Sequence, residues 1–322
     1  YGPLPRLQSK GRLAVTGGTI GEWEYAALTG EYFWNGTRLT AGLTLEESTG
    51  GRGVLTGWWE PESGCYYGEA ISRSLELRPE WLGPAAAQFP GGLSGRLSGT
   101  WRMEKKAAGP AGAGWLELHD LCHEGSSHPG RLLIRAEMEG GRLRIADSYF
   151  LTGSGRLALT GEVTWEDGPD YEIRAEGADL CCNDLVSLLA LTGRPVQEYP
   201  ALEGMVDLVI MARGGSQAVV TGYLAAEDLL FGGFPVDRGE IRFSWKDGAI
   251  YLNDTRLRKG EEELIINGAI TGEGLDLVVT ANGLSLSALE IPVQDLEPAG
   301  FLKLDAKING TFASPVISGK VE

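Results

Sequence analysis

Residues 241–246, Ile-Arg-Phe-Ser-Trp-Lys, place Ile241, Phe243 and Trp245 on one side of an extended chain and Arg242, Ser244 and Lys246 on the other. Successive side chains of a strand point to opposite faces, so this is a strand that is apolar on one side and wet on the other. Asp247-Gly248 interrupts the pattern as a turn, and Ile250 and Leu252 resume it.

The same period of two extends outward in both directions. Leu275, Leu277 and Val279 repeat it, as do Leu132, Ile134, Ala136 and Met138. Such runs end at turns rich in Gly, Asp or Asn, for example Glu139-Gly140-Gly141. An apolar residue followed by Thr and Gly recurs at Leu28-Thr29-Gly30, Leu55-Thr56-Gly57, Leu151-Thr152-Gly153, Leu159-Thr160-Gly161, Val220-Thr221-Gly222 and Ile270-Thr271-Gly272. Thr favours a strand, and Gly there predicts a bulge or a sharp change of direction. Helical period is confined to two turns over Asn183–Leu191 and a shorter one at Pro79-Glu80-Trp81-Leu82. The expected fold is all-β, an elongated, curled, antiparallel-rich sheet with short helical turns.

Composition removes several classes of function. Lys and Arg total 28 against 44 Asp and Glu, a net charge of −16 and a pI near 4.7. Nucleic-acid binding and a polybasic membrane anchor both need the opposite balance. Glycine supplies 48 residues, roughly twice its usual share, while 43% of the chain is apolar, the mark of a folded protein full of turns. The longest apolar run, about seven residues around Leu185–Leu191, is far short of a membrane span of about 18. The first residues lack the apolar core of a signal peptide. The last ones, Ser318-Gly319-Lys320-Val321-Glu322, stop within a strand-like pattern, so the chain reads as a segment of a longer protein.

The sequence also repeats itself about every 105 residues. Thr37–Gly57, Gly141–Gly161 and Gly248–Gly268 align without a gap, and their last glycines lie 104 and 107 residues apart. The expected organisation is one continuous array over 1–322, with approximate units 1–75, 76–180, 181–286 and 287–322, the first and last partial. Each unit would hold six or seven strands and share its sheet with the next.

The run Leu304-Asp305-Ala306-Lys307-Ile308-Asn309-Gly310-Thr311-Phe312-Ala313-Ser314-Pro315-Val316-Ile317-Ser318-Gly319 resembles the repeat signature of the AsmA-like family, TamB type: an amphipathic strand, Gly-Thr, Pro, an apolar residue and Gly. Leu93–Thr100 keeps the Gly-Thr, and the copy at Arg213-Gly214-Gly215 has lost the proline. By order of elements the resemblance covers roughly residues 30–322. It implies a half-open β-groove in the envelope of a bacterium with two membranes, anchored in the inner membrane and conducting phospholipid through the periplasm. The resemblance also implies a link to outer-membrane assembly, with an outer-membrane barrel protein as a partner of such bridges.

The residues reach a compatible reading by themselves. A long sheet with one apolar face and almost no helix to cover it either closes on itself or receives an apolar ligand, and acyl chains fit at about 0.8 kcal/mol per CH₂ removed from water. The expected lining begins with Leu132, Ile134, Met138, Leu143 and Ile145, then Leu157, Leu159, Val163 and Trp165. It continues with Ile241, Phe243, Trp245, Ile250 and Leu252, then Leu264, Ile266, Ile270, Leu275, Leu277 and Val279.

Other candidate chemistry is weaker. His119, His123 and His128 lie near Cys122, but the following unit carries Leu230 and Phe231 at the positions of Cys122 and His123, which favours packing over metal. Cys65, Cys122, Cys181 and Cys182 contain no C-x-x-C and read as free thiols, chiefly buried. Glu46-Glu47 and Glu261-Glu262-Glu263 could pair as acid and base, but read as solvated turn tips. No nucleophile elbow or phosphate loop is present. The expected function is non-enzymatic, a lipid-carrying segment without a cofactor other than bound lipid. The alternative is a β-rich structural or adhesive array with a closed core.

Overall fold

The computed structural model describes residues 7–20, 23–77, 93–106, 109–123, 130–152, 155–165, 170–182, 202–215, 218–231, 234–272, 274–285, 300–311 and 314–321. Strands account for 88% of them, in one antiparallel sheet of nineteen that is open and not closed into a barrel. The two helical turns expected at 79–82 and 183–191 lie outside the described residues. No helix among the described residues is long and apolar enough to cross a membrane.

The chain divides into two units, residues 1–153, 158–169 and 187–195 in the first and 154–157, 170–186 and 196–322 in the second. Unit 1 holds β1 (Ser9–Ile20), β2 (Trp23–Trp34), β3 (Leu39–Glu47), β4 (Arg52–Glu60), β5 (Cys65–Glu76), β6 (Leu93–Lys106), β7 (Gly109–His123), β8 (Gly130–Glu139) and β9 (Arg142–Thr152). Strand β10 (Gly155–Thr164) is divided between the two units. Unit 2 holds β11 (Asp170–Cys181), β12 (Leu202–Gly214), β13 (Val219–Phe231), β14 (Phe234–Lys246), β15 (Ala249–Lys259), β16 (Glu262–Ile270), β17 (Leu275–Ser285), β18 (Phe301–Thr311) and β19 (Ser314–Val321). Within each unit every strand pairs antiparallel with the next in sequence, the simplest meander.

Regular pairing is broken in every second strand from β5 to β17. Ser74 in β5, Asp120 in β7, Asp147 in β9, Asp179 in β11, Asp228 in β13 and Asp254 in β15 all have φ between 49 and 53°, and Gly283 in β17 has φ 76°. Each stands at a shift of register, such as Gly177/Leu180 in β11 and Leu252/Thr255 opposite β16. These are bulges, each of which adds a residue to one strand and increases its twist. Of the Thr-Gly pairs expected to bulge or to turn the chain, Thr271-Gly272 lies at the reversal between β16 and β17, but three others neither bulge nor turn. Gly30, Gly57 and Gly222 sit in regular ladder, because the left-handed turn is made by Asp instead.

Asp tolerates that conformation better than most residues, and a neighbouring strand takes up the freed backbone donor. The N–H of Asp254 donates to Asn267 Oδ1 at 2.7 Å, that of Asp179 to Asp207 Oδ1 at 3.0 Å and that of Ser74 to Ser98 Oγ at 3.0 Å. Two residues past the bulge of β5, the Glu76 N–H donates to Glu47 Oε2 at 3.0 Å, and past that of β17 the Ser285 N–H donates to Glu262 Oε1 at 2.8 Å. The two acidic runs are therefore not simply solvated turn tips. Glu47 is only 5% exposed, and its carboxylate secures a bulged strand.

Removing that acceptor leaves a part-buried N–H short of its charged partner, a loss of about 1.5–3 kcal/mol. Glu47→Ala is expected to lower the urea midpoint accordingly without changing the far-UV circular dichroism, whereas Glu46→Ala, on the neighbouring position, changes it by under about 0.5 kcal/mol.

Candidate apolar sheet face

Residues directly opposed across an antiparallel pair project to the same face, so register alone decides which side chains meet. In unit 2 it assembles four apolar rows. The first runs Ile173, Ala212, Val220, Trp245, Ile250, Ile270, Leu275 across successive strands. The second runs Ala175, Ile210, Gly222, Phe243, Leu252, Gly268, Leu277, Ile308, Ile317. Leu208, Leu224 and Ile241 begin the third, and Thr255, Ile266, Val279 and Ala306 continue it. The fourth is Leu180, Val206, Ala226, Gly239, Leu257, Leu264, Ala281, Leu304.

Burial is graded along the strands. In the fourth row Leu180, Val206, Ala226 and Ala281 are at most 3% exposed, and Val279 in the third is 7% exposed. Trp245, Ile250, Ile270, Leu275, Phe243 and Leu277, in the first two rows, are half-buried. The opposite face is polar and laced with ion pairs. Lys307 stands 3.1 Å from Asp276, Arg258 2.8 Å from Glu263, Arg256 2.9 Å from Asp254 and Arg213 3.1 Å from Glu172. Exposed pairs of this kind contribute little each, about 0–1 kcal/mol, but they keep that face in water.

Unit 1 has the same division. Gly112 and Met138 stand opposite one another, then Met138 and Leu143; Gly114 opposes Ala136, which opposes Ile145; Leu116 opposes Ile134, and Leu118 opposes Leu132. Further strands add Leu43, Leu55, Ala70 and Trp101 to the face. Leu133 departs from the pattern. It lies on the other side of β8, between Glu117 and Tyr149, yet is only 7% exposed. On β10, Leu157, Leu159 and Val163 alternate onto one side, and Leu157 is buried against Gly177 and Leu180. Trp165 lies beyond the end of β10 and is 47% exposed.

The register thus brings together Ile241, Phe243, Trp245, Ile250, Leu252, Leu264, Ile266, Ile270, Leu275, Leu277 and Val279 in unit 2, and Leu132, Ile134, Met138, Leu143 and Ile145 in unit 1. Sequence reasoning missed Leu257 because the bulge at Asp254 reverses the parity after Leu252. It missed Leu180, Val206, Leu208 and Ile210 as well, although their alternation was available in the sequence.

Glycine keeps this face flat. A Cβ at Gly222 would run into the Phe243 ring directly opposite, and one at Gly114 would meet the Trp101 ring. Each aromatic ring therefore lies along the sheet over its glycine rather than standing up from it. A hollow of about 220 Å³ opens on this face in unit 1, bounded by Leu39, Ala41, Leu43, Leu55, Gly57 and Trp59. A larger one, about 1290 Å³, is bounded mostly by residues of the opposite parity, including Lys10, Arg12, Thr29, Glu31, Thr44 and Thr56, and is a wet depression in the polar face.

The other sequence candidates are dispersed. His119 Nε2 lies 3.2 Å from Glu117 Oε2. Among the described residues no group of His, Cys, Asp and Glu could hold a metal ion, and His128 lies outside them. The four cysteines are unpaired, but only Cys182 is buried. No family model, curated protein or solved structure matches the chain.

Burial, with the neighbouring Cys181 second, pushes the Cys182 thiol up to about 11 from an ordinary 9.0. The folded protein holds this proton at pH values where the unfolded chain has lost it, so the contribution is complete below the unfolded value and disappears as pH rises through the folded one. The melting temperature is expected to fall between about pH 9 and pH 11, with a shallower fall in Cys182→Ala. Equal slopes in the two proteins would contradict the shift.

Proposed function

We propose that this chain is a segment of an AsmA-like, TamB-type bridge in the periplasm of a bacterium with two membranes, and that its apolar sheet face carries phospholipid acyl chains. The observation that carries this reading is the continuity of that face. Four rows of aliphatic and aromatic side chains each cross seven to nine strands of unit 2, interrupted by glycine and alanine and by the single hydroxyl of Thr255. Half-buried Phe243, Trp245, Leu252 and Leu277 leave apolar surface for a ligand to cover, worth roughly 25 cal/mol per Å². A flat face without fixed polar groups suits a chain that must slide rather than a ligand that must be recognised.

The repeat belongs to the same proposal. Ser74, Asp179 and Gly283, all left-handed, are 105 and 104 residues apart, and Asp147 and Asp254 are 107 apart. Six strands separate equivalent bulges, which supports units of about 105 residues stacked along a shared sheet. Inner-membrane anchorage, transport between the two membranes and a barrel partner in the outer membrane follow from the resemblance, and would belong to the full-length protein.

Leu277 and Val278 are neighbours on opposite faces: Leu277 opposes Gly268 and Ile308, while Val278 opposes Asn267 and Lys307 and is 41% exposed. Both Leu277→Asp and Val278→Asp are expected to keep the far-UV circular dichroism of the parent. Only Leu277→Asp should lose the phospholipid that native mass spectrometry detects on protein purified without detergent, because an unpaired charge against acyl chains costs several kcal/mol. Leu277→Ser serves the same comparison where Asp unfolds the protein. Parent protein without lipid, or equal retention by the variants, would favour a closed structural array instead.

A further inference from the structure

The charge of the chain is unevenly placed. Unit 2 carries twenty-four Asp and Glu against twelve Lys and Arg, a net of −12, while unit 1 carries twenty against sixteen, a net of −4. Three quarters of the acidic excess therefore accompanies the unit that carries the four apolar rows.

The cations of unit 2 are also engaged. Eight of the twelve stand within ion-pair distance of a carboxylate among the described residues. They are Arg174, Arg213, Arg238, Arg242, Lys246, Arg256, Arg258 and Lys307. The guanidinium of Arg256 is typical, held between Asp254 at 2.9 Å and Glu263 at 3.8 Å. A phosphate reaching round to the polar face would have to displace a carboxylate to gain such a cation. Meanwhile Glu203 and Glu261, at or beside strand ends, and Glu227, within β13 on the polar side of Ala226, are exposed and add negative potential around the unit.

We infer that unit 2 selects its lipid by headgroup charge, taking zwitterionic phospholipids and disfavouring anionic ones. The inference rests on reading the apolar face as an acyl-chain site. A phosphate paired with its own ammonium gains no repulsion from the excess carboxylates, whereas a phosphate with a neutral headgroup meets all of it. With identical acyl chains the apolar contribution cancels, leaving the electrostatic difference alone. That difference acts through water over about a Debye length and is screened by salt.

The test uses the whole chain and two probes with the same fluorescent acyl chain, phosphatidylethanolamine and phosphatidylglycerol, offered from phosphatidylcholine vesicles at low salt. Phosphatidylethanolamine is expected to be retained about three- to tenfold better. The ratio should approach one in 1 M NaCl, where the Debye length is about 3 Å. It should also narrow in the triple variant Glu203→Lys, Glu227→Lys, Glu261→Lys, with circular dichroism confirming its fold. Equal retention of both probes at low salt would overturn the charge selection and leave the acyl-chain reading standing. Retention of neither probe would overturn both. A preference that persists unchanged in high salt and in the triple variant would overturn the electrostatic origin.

Discussion

The parity of the backbone governs this molecule. Residues paired across an antiparallel ladder face the same way, so one apolar face can persist over many strands only if every pairing preserves the alternation. A slip of one residue would turn Phe243, Leu252 and Leu277 into water and bring Arg242, Arg258 and Glu263 to the apolar side. Apolar rows and ion-paired rows therefore enforce the same register from opposite faces. Neither set needs to be individually strong, because the penalty for slipping is paid along a whole strand.

The bulges are compatible with that constraint because they recur in every second strand. A bulge reverses the alternation within its own strand, and the residues beyond it rejoin the apolar face only because the partner strand does not carry the same insertion. In β15, Ile250 and Leu252 precede the bulge at Asp254, and Thr255 and Leu257 follow it, yet all four lie on one side. The unusual conformation survives because a donor is answered: Asn267, Asp207 and Ser98 each accept a bulge N–H from the adjacent strand. Two residues past a bulge, Glu262 accepts from the adjacent strand β17 and Glu47 accepts from β5, two strands away from its own. A short polar side chain at the bulge and an acceptor opposite form one device spread over two strands.

This division explains what the sequence made legible. Strand class, turn positions and the apolar side of β14, β16 and β17 follow from period two, since no bulge interrupts the residues concerned. Leu257 could not be placed, because nothing local distinguishes Asp254 in a bulge from an aspartate on the wet face. The roles of Glu47 and Glu262 were hidden for a different reason. A carboxylate that reaches a backbone N–H in another strand depends on which strands are neighbours, and composition holds no record of that. The Thr-Gly pairs inside strands, at Gly30, Gly57 and Gly222, misled in the reverse direction. Their glycines suggested bends, whereas Gly222 is small because Phe243 lies across it.

That last substitution of purpose connects composition with use. A glycine beneath an aromatic ring removes the height that a second side chain would add, so a large ring contributes area without protruding. At Gly222 under Phe243 and Gly114 under Trp101 this lowers the relief of the apolar surface. A closed core has the opposite requirement, since its two sides must interdigitate at high density and large side chains must stand up to fill the space. The abundance of glycine, the flat rings and the half-buried first two rows of unit 2 are thus one property of the chain. On the proposed reading, acyl chains complete the packing that these side chains leave unfinished.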